Sequence, residues 1–188
     1  MGWLGGSGKT SLPGAMYQVD GRDRVVELPD FPQSSIGAPC PMVLSDEFAT
    51  VVAFYVEEAD PAWDGTSVRV VGPDSLDEKI AIVRFDRCSA SLFGPPNDEA
   101  FAGHPLASRG LGPYSAVVVE SSSWIRGLDR MNSVHPHHRP EASDSLRHFI
   151  LSFHDSVFEC VAKGYTVELC KGSVHSALPR MAELLAIR

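Results

Sequence analysis

The stretch RHFILSFHDSVFECVA, residues 147–162, decides the fold class of this chain. Apolar and polar residues alternate on both sides of Asp155 and Ser156, which is the pattern of two antiparallel strands joined by a tight turn. We predict that Ser152 lies opposite Glu159 in this hairpin. One face of the hairpin is then apolar and is expected to pack in the core, with Phe149, Leu151, Phe153, Phe158, Cys160 and Ala162 on it.

The opposite face of the predicted hairpin carries side chains capable of acid–base or ligand chemistry. His148, Ser152, His154 and Glu159 share it, within reach of one another as direct or diagonal neighbours. A hydroxyl, an imidazole and a carboxylate in contact are the components of nucleophilic catalysis. A half-exposed sheet face shows the same mixture without catalysis. The structural interpretation is favoured, because neither oxyanion donors nor a nucleophile-elbow glycine pattern accompanies Ser152.

Other periodic segments place the hairpin in an α+β fold. Strand patterns occur at residues 24–28, 41–44, 49–57, 66–71, 78–88, 114–120 and 164–169, and the last of these is expected to extend the hairpin. Apolar residues at helical spacing predict an amphipathic helix at about 122–133 and a C-terminal helix at about 176–187. Because strands cluster instead of alternating with helices, the expected sheet is mostly antiparallel.

Length and composition predict one soluble domain. The 188 residues fit a tail at 1–20, expected to be flexible, followed by a single domain at 21–188. The net charge of −8 argues against nucleic acid and acidic membrane surfaces as partners. The four cysteines form no C-x-x-C pair, and we expect them to be reduced in a cytoplasmic protein. The chain has no apolar run of membrane-spanning length.

The segment GGSGKT, residues 5–10, is similar to a phosphate-binding loop but lacks the glycine spacing and the flanking strand and helix of such a loop. Such a loop needs a glycine five positions before Gly8, where this chain has Trp3. It also needs a preceding strand and a following helix, and the Pro13-Gly14 pair excludes the helix. We therefore reject nucleotide binding through Lys9.

The second candidate site is the loop NDEAFAGHPLASRGL, residues 97–111. Arg109 is suited to clamp a carboxylate or phosphate, and His104 to act near neutral pH, with Asp98 and Glu99 close in sequence. The favoured alternative is a short capped helix with acidic residues at its N-terminus and Arg109 in an ordinary surface pair.

The third candidate is VHPHHRPE, residues 134–141, where His135 and His137 form an H-x-H. This spacing resembles the first half of a cupin metal motif, but the glycines and the second histidine motif of that family are missing. A metal site would need His104 and His154 to converge with one of these histidines. The sequence identifies no cofactor.

Two blocks, FGPPNDEAFAGHPLASRGLGPY and SLRHFILSFHDSVFECVA, resemble an uncharacterised family of small bacterial proteins. The resemblance covers the chain from about Ser35 onward. It implies a bacterial, cytoplasmic, stand-alone domain and assigns a role to no residue.

These observations favour a non-enzymatic binding or accessory protein with a small-molecule or protein partner. The alternative is a small hydrolase or lyase that uses His104, His154 and Glu159, with or without a metal, where the 97–111 loop crosses the hairpin. An enzyme of this kind is expected to form one concave pocket containing both segments. A third expectation is self-association through a strand edge or the C-terminal helix.

Overall fold

The computed structural model describes residues 17–59, 66 and 69–188. The GGSGKT segment and residues 67–68 of the predicted 66–71 strand lie outside this part of the chain; described residues 66 and 69–71 belong to no strand. The described residues form nine strands and two α-helices: β1 (Arg24–Glu27), β2 (Met42–Ser45), β3 (Ala49–Tyr55), β4 (Glu78–Asp86), β5 (Ala90–Gly94), β6 (Ala116–Glu120), α1 (Ser123–Asn132), β7 (Arg147–Ser152), β8 (Val157–Ala162), β9 (Gly164–Gly172) and α2 (Leu178–Leu185).

The strands form two antiparallel sheets, which confirms the predicted α+β fold. One sheet has the order β1-β6-β7-β8-β5 and the other the order β2-β3-β4-β9. Short 3-10 helices lie at Phe101–Gly103, Ala107–Arg109, Pro140–Ser143 and His175–Ala177. No helix in the part of the chain that the structure describes is long and apolar enough to cross a membrane.

A bent two-stranded ribbon passes from one sheet to the other. Strands β4 and β9 pair up to Asp86 and Gly164, and the pairing resumes between β5 and β8 at Ala90 and Val161. Between these two pairs, one segment has three residues, 87–89, and the other has two, 162–163. The extra residue makes this corner a β-bulge. Arg87 in the bulge has a left-handed φ of 48°. Such bends let strands switch sheets where two sheets meet.

The two sheets pack face to face, and each outer face is covered. The central core contains the predicted apolar row of the hairpin together with Val52, Phe54 and Phe85 of the other sheet. Helix α2 covers the outer face of the β2-β3-β4-β9 sheet with Met181 and Leu184. Helix α1 and the 97–111 loop cover the other outer face with buried apolar residues, namely Trp124, Phe101, Leu106 and Leu111. The result is four layers.

The hairpin forms, but its register differs from the predicted one. Ser152 lies opposite Val157, and Glu159 lies opposite Ile150. The turn contains four residues and is closed by a hydrogen bond of 2.8 Å from the Phe153 N–H to the Ser156 carbonyl. This shifts the pairing by two residues relative to the prediction. An even shift leaves every side chain on its predicted face.

The opposite face of the hairpin, which carries the polar side chains and was compared with a half-exposed sheet face, is also buried. All residues of β8 and all but the first of β7 are buried, because α1 and the 97–111 loop lie over this face. The prediction that 164–169 extends the hairpin is wrong, since β9 pairs with β4 in the other sheet. Both predicted helices are present, at Ser123–Asn132 and Leu178–Leu185. The edge strand β5 was not predicted.

Candidate functional site

A buried carboxylate, Glu159, lies at the centre of a hydrogen-bonded cluster between the hairpin and its cover. Its Oε2 accepts hydrogen bonds from the Tyr17 hydroxyl at 2.7 Å and from His148 Nε2 at 2.9 Å. Its Oε1 accepts one from His104 Nε2 at 3.0 Å. Glu159 is 7% exposed, His104 4% and His148 0%. The cluster therefore joins the hairpin to the loop and to the segment before β1.

Each member of the cluster is positioned by a different element. Glu159 is on β8 and His148 is its diagonal neighbour on β7, since Ile150 is directly opposite. His104 follows the 3-10 turn of the loop and stacks on Phe101, with ring centroids 5.6 Å apart. Tyr17 stacks on Trp124 of α1 at 5.3 Å. Aromatic contacts thus hold the two donors that come from outside the sheet.

The second nitrogen of each histidine ring is also engaged. The Leu106 N–H donates to His104 Nδ1 at 3.1 Å, so this nitrogen carries no proton and Nε2 carries the one that faces Glu159. Ser122 Oγ lies 2.9 Å from His148 Nδ1 and accepts a hydrogen bond from the Ile125 N–H. The His148 ring is thus hydrogen-bonded through Nδ1 to Ser122 and through Nε2 to Glu159.

The cluster keeps Glu159 ionised. Burial alone raises the pKa of a carboxyl group. The hydrogen bonds from His104 and His148, the electrostatic attraction of His148 and the hydrogen bond from Tyr17 together outweigh burial and lower the pKa of Glu159 to about 2. Burial and the adjacent carboxylate raise the pKa of Tyr17. Glu159 therefore acts as a charged acceptor at neutral pH, and Tyr17 remains a donor.

A second His–carboxylate contact lies nearer the surface. His154 Nδ1 is 3.5 Å from Asp98 Oδ1, and both atoms are buried without a hydrogen-bond partner among the residues that the structure describes. The Tyr114 hydroxyl donates to the other oxygen of Asp98, and the Asp98 N–H donates to the His154 carbonyl at 2.9 Å. The hydrogen bond from Tyr114 lowers the pKa of Asp98, and it raises the pKa of Tyr114 to about 12. The His154 side chain is 40% exposed.

The other predicted site residues do not join either cluster. Ser152 is buried and holds the preceding loop, donating to the Gly112 carbonyl at 2.9 Å and accepting from the Ser115 N–H at 2.8 Å. Its predicted contact with Glu159 is absent because of the register shift. Glu99 and Arg109 are exposed.

The predicted metal candidates do not form a metal site. His135 and His137 are exposed, with ring centroids 5.8 Å apart. Across residues 17–59, 66 and 69–188, no three His, Cys, Asp or Glu side chains are grouped so that they could hold a metal ion. His104 is instead bound to Glu159, so it does not converge with the exposed histidines.

Two members of the buried cluster were missed in the sequence. Tyr17 falls in the predicted tail, and nothing in its neighbourhood signals a buried side chain. Ser122 is the N-cap of α1, where its side chain accepts a hydrogen bond from the Ile125 N–H. Its second contact, with His148, depends on how the helix lies on the sheet.

Comparisons with known proteins do not identify a function for either cluster. No protein-family model, no curated protein and no solved structure matches the chain.

Proposed function

We propose that this chain is a non-enzymatic binding or accessory protein, in which the Glu159 cluster serves the fold. The observation that supports this proposal is the closed geometry of that cluster. Both carboxylate oxygens and both nitrogens of each histidine have partners within the protein. The residues best suited to acid–base chemistry thus attach the loop and α1 to the sheet.

Catalysis places different demands on such groups. A general base must come within about 2.6–3.2 Å of the proton that it removes. His104 and His148 have no ring nitrogen left for that contact, and their exposure is 4% and 0%. A carboxylate that accepts three hydrogen bonds is also a weak base, as the lowered pKa of Glu159 indicates.

The proposal is tested by screening for ligands and then following their fate. Compounds that raise the melting temperature are incubated with the protein and recovered for mass spectrometry and NMR. We expect each ligand to be recovered chemically unchanged after prolonged incubation with the protein. Conversion of a ligand by the wild type, lost in His154→Ala, contradicts the proposal and favours an enzyme.

The contact between Asp98 and His154 supports a second candidate function, a small hydrolase or lyase. Asp98 belongs to the 97–111 loop and His154 to the hairpin turn, so the two predicted segments do meet. A carboxylate that faces Nδ1 orients an imidazole so that Nε2 can accept a proton from a substrate or water. The exposed part of the His154 ring is accessible for this role, since Nδ1 itself is buried.

A further inference from the structure

An open groove lies beside the N-terminus of α1, at the end of the sheet where β6 finishes and β7 begins. Its volume is about 460 Å³, and its walls come from the segment before β1, from β6, from the start of α1 and from the start of β7. Binding sites for single small molecules typically have volumes of about 300–1,000 Å³. A ligand in this groove presupposes the proposed binding function.

One part of the groove is apolar. Ile125 of α1 and Leu146 before β7 line it on the α1 side, and both are only half-buried. Apolar side chains left partly open in a concave surface gain free energy when a hydrocarbon group covers them. This part of the groove is therefore suited to the apolar body of a ligand.

The charged part of the groove has more positive than negative groups. Arg22, Arg126 and Arg147 line it together with one acidic residue, Glu120. Arg22 and Arg126 share the carboxylate of Asp20, at 3.1 Å and 2.5 Å. The excess of arginine is local, because the whole chain has a net charge of −8.

Arg147 is the arginine best placed to bind an external anion. Its Nη1 donates only to backbone carbonyls, those of Asp144 and Leu146, both at 3.2 Å. Within the part of the chain that the structure describes, it has no acidic partner. A guanidinium group presents two parallel donors that match a carboxylate. Arg147 and Leu146 line the same groove, so an anion bound by Arg147 shares that groove with its apolar part.

We propose that this groove binds a small amphipathic monocarboxylate, with its carboxylate on Arg147 and its hydrocarbon part against Ile125 and Leu146. A monoanion is favoured over a dianion because Asp20 and Glu120 already balance much of the positive charge around the groove. A cation of the same shape is disfavoured because it would meet the guanidinium groups directly.

The test is calorimetric titration of the full chain with octanoate, and with octylammonium as the probe of opposite charge. We expect octanoate to bind and octylammonium not to bind. Arg147→Ala should weaken octanoate binding by roughly tenfold or more, since it removes a charge-assisted contact. Arg147→Lys, which keeps the charge but loses the fork, should give a smaller loss. The matched control is Arg109→Ala, an exposed arginine outside the groove lining, which should bind octanoate like the wild type.

Several results would overturn the inference. Equal octanoate affinity in wild type and Arg147→Ala excludes this groove but leaves a binding function intact, provided that the ligand is recovered unchanged. No octanoate binding at millimolar concentration excludes this ligand class. Tighter, Arg147-dependent binding of a short peptide with a free C-terminal carboxylate, lost on amidation, assigns the groove to a protein partner. Chemical conversion of octanoate contradicts the proposed function itself.

Discussion

At the scale of single residues, Glu159 shows how a buried carboxylate is held by several donors at once. Tyr17, His104 and His148 supply three hydrogen bonds. Hydrogen bonds to a charged group stabilise a protein by about 1.5–3 kcal/mol each, more than those between neutral groups. The loss of any one donor is therefore expected to be measurable.

The lowered pKa of Glu159 predicts a specific loss of stability in acid. Its pKa falls from 4.5 to about 2 on folding, so its contribution is fully present above pH 4.5 and disappears as the pH falls towards 2. This shift corresponds to about 3 kcal/mol. Denaturant unfolding between pH 2 and 6 should show this dependence in the wild type and a flatter curve in Glu159→Gln. Parallel curves for the two proteins would contradict the assignment.

The hydroxyl of Tyr17 offers a test of one donor. Tyr17→Phe leaves Glu159 with one donor fewer in a buried site and should lower the free energy of unfolding by about 1.5–3 kcal/mol. Tyr114→Phe is the matched control, because it also removes a phenol–carboxylate hydrogen bond but at the less buried Asp98. Chemical denaturation measures both, and a larger loss for Tyr114→Phe would contradict the importance given to Tyr17.

Sequence reasoning identified Glu159, His104 and His148 as notable residues but could not identify their partners. A hairpin pattern places His148 and Glu159 on one face, which the structure retains. Whether that face is covered depends on contacts between distant segments. One of them joins Tyr17 to Glu159, 142 positions further along the chain. No local periodicity reports such a contact.

At the scale of elements, α1 is tied to the sheet through its first turn. Ser122 caps the helix by accepting from the Ile125 N–H, and it also reaches His148 at 2.9 Å. One side chain thus ends the helix and completes the hydrogen bonding of a buried imidazole. The orientation of α1 on the sheet therefore depends on a polar contact as well as on the packing of Trp124.

Ser122→Ala should accordingly cost more than the loss of an ordinary helix cap. The cap itself is worth about 1 kcal/mol, and the unsatisfied His148 nitrogen adds about 1–3 kcal/mol. Ser133→Ala, at the exposed C-terminal end of the same helix, is the control and should change little. Thermal and urea unfolding measure both variants, and similar effects at the two ends would refute the dual role of Ser122.

The hairpin shows which features of an element follow from its sequence. Period-two alternation defines the two faces, and the apolar face was predicted correctly. The register depends on how many residues the turn contains, and Phe153 and His154 fit equally well in a strand or in a turn by pattern alone. The four-residue turn is stabilised by a contact outside the hairpin, from the Asp98 N–H to the His154 carbonyl.

At the scale of the whole molecule, the sheets are covered on both outer faces, and the two covers differ in chemistry. The α2 side is apolar, whereas the α1 side includes the Glu159 cluster. The sequence predicted the α+β class and both helices. It did not predict two sheets. The β4–β9 pairing stops before Arg87 and Lys163, and the β5–β8 pairing starts beyond them, but the strand pattern of the sequence continues through both positions.

The packing of α2 on the β2-β3-β4-β9 sheet can be tested by substitution. Met181 on α2 is fully buried against the sheet, so Met181→Ala should lower the free energy of unfolding by about 2–5 kcal/mol. Leu178 on the same helix is 42% exposed, and Leu178→Ala should cost much less. Urea unfolding compares the two variants. Equal losses would mean that α2 does not pack as described.

The hydrogen bonds of the Glu159 cluster hold the 97–111 loop and α1 on the sheet. Hydrogen exchange followed by mass spectrometry, in wild type and in Glu159→Gln, tests this role most directly. We expect faster exchange in Glu159→Gln at residues 101–111 and in the first turn of α1, with exchange in β3 and β4 unchanged under native conditions. Unchanged exchange in the loop and in α1 would contradict the claim.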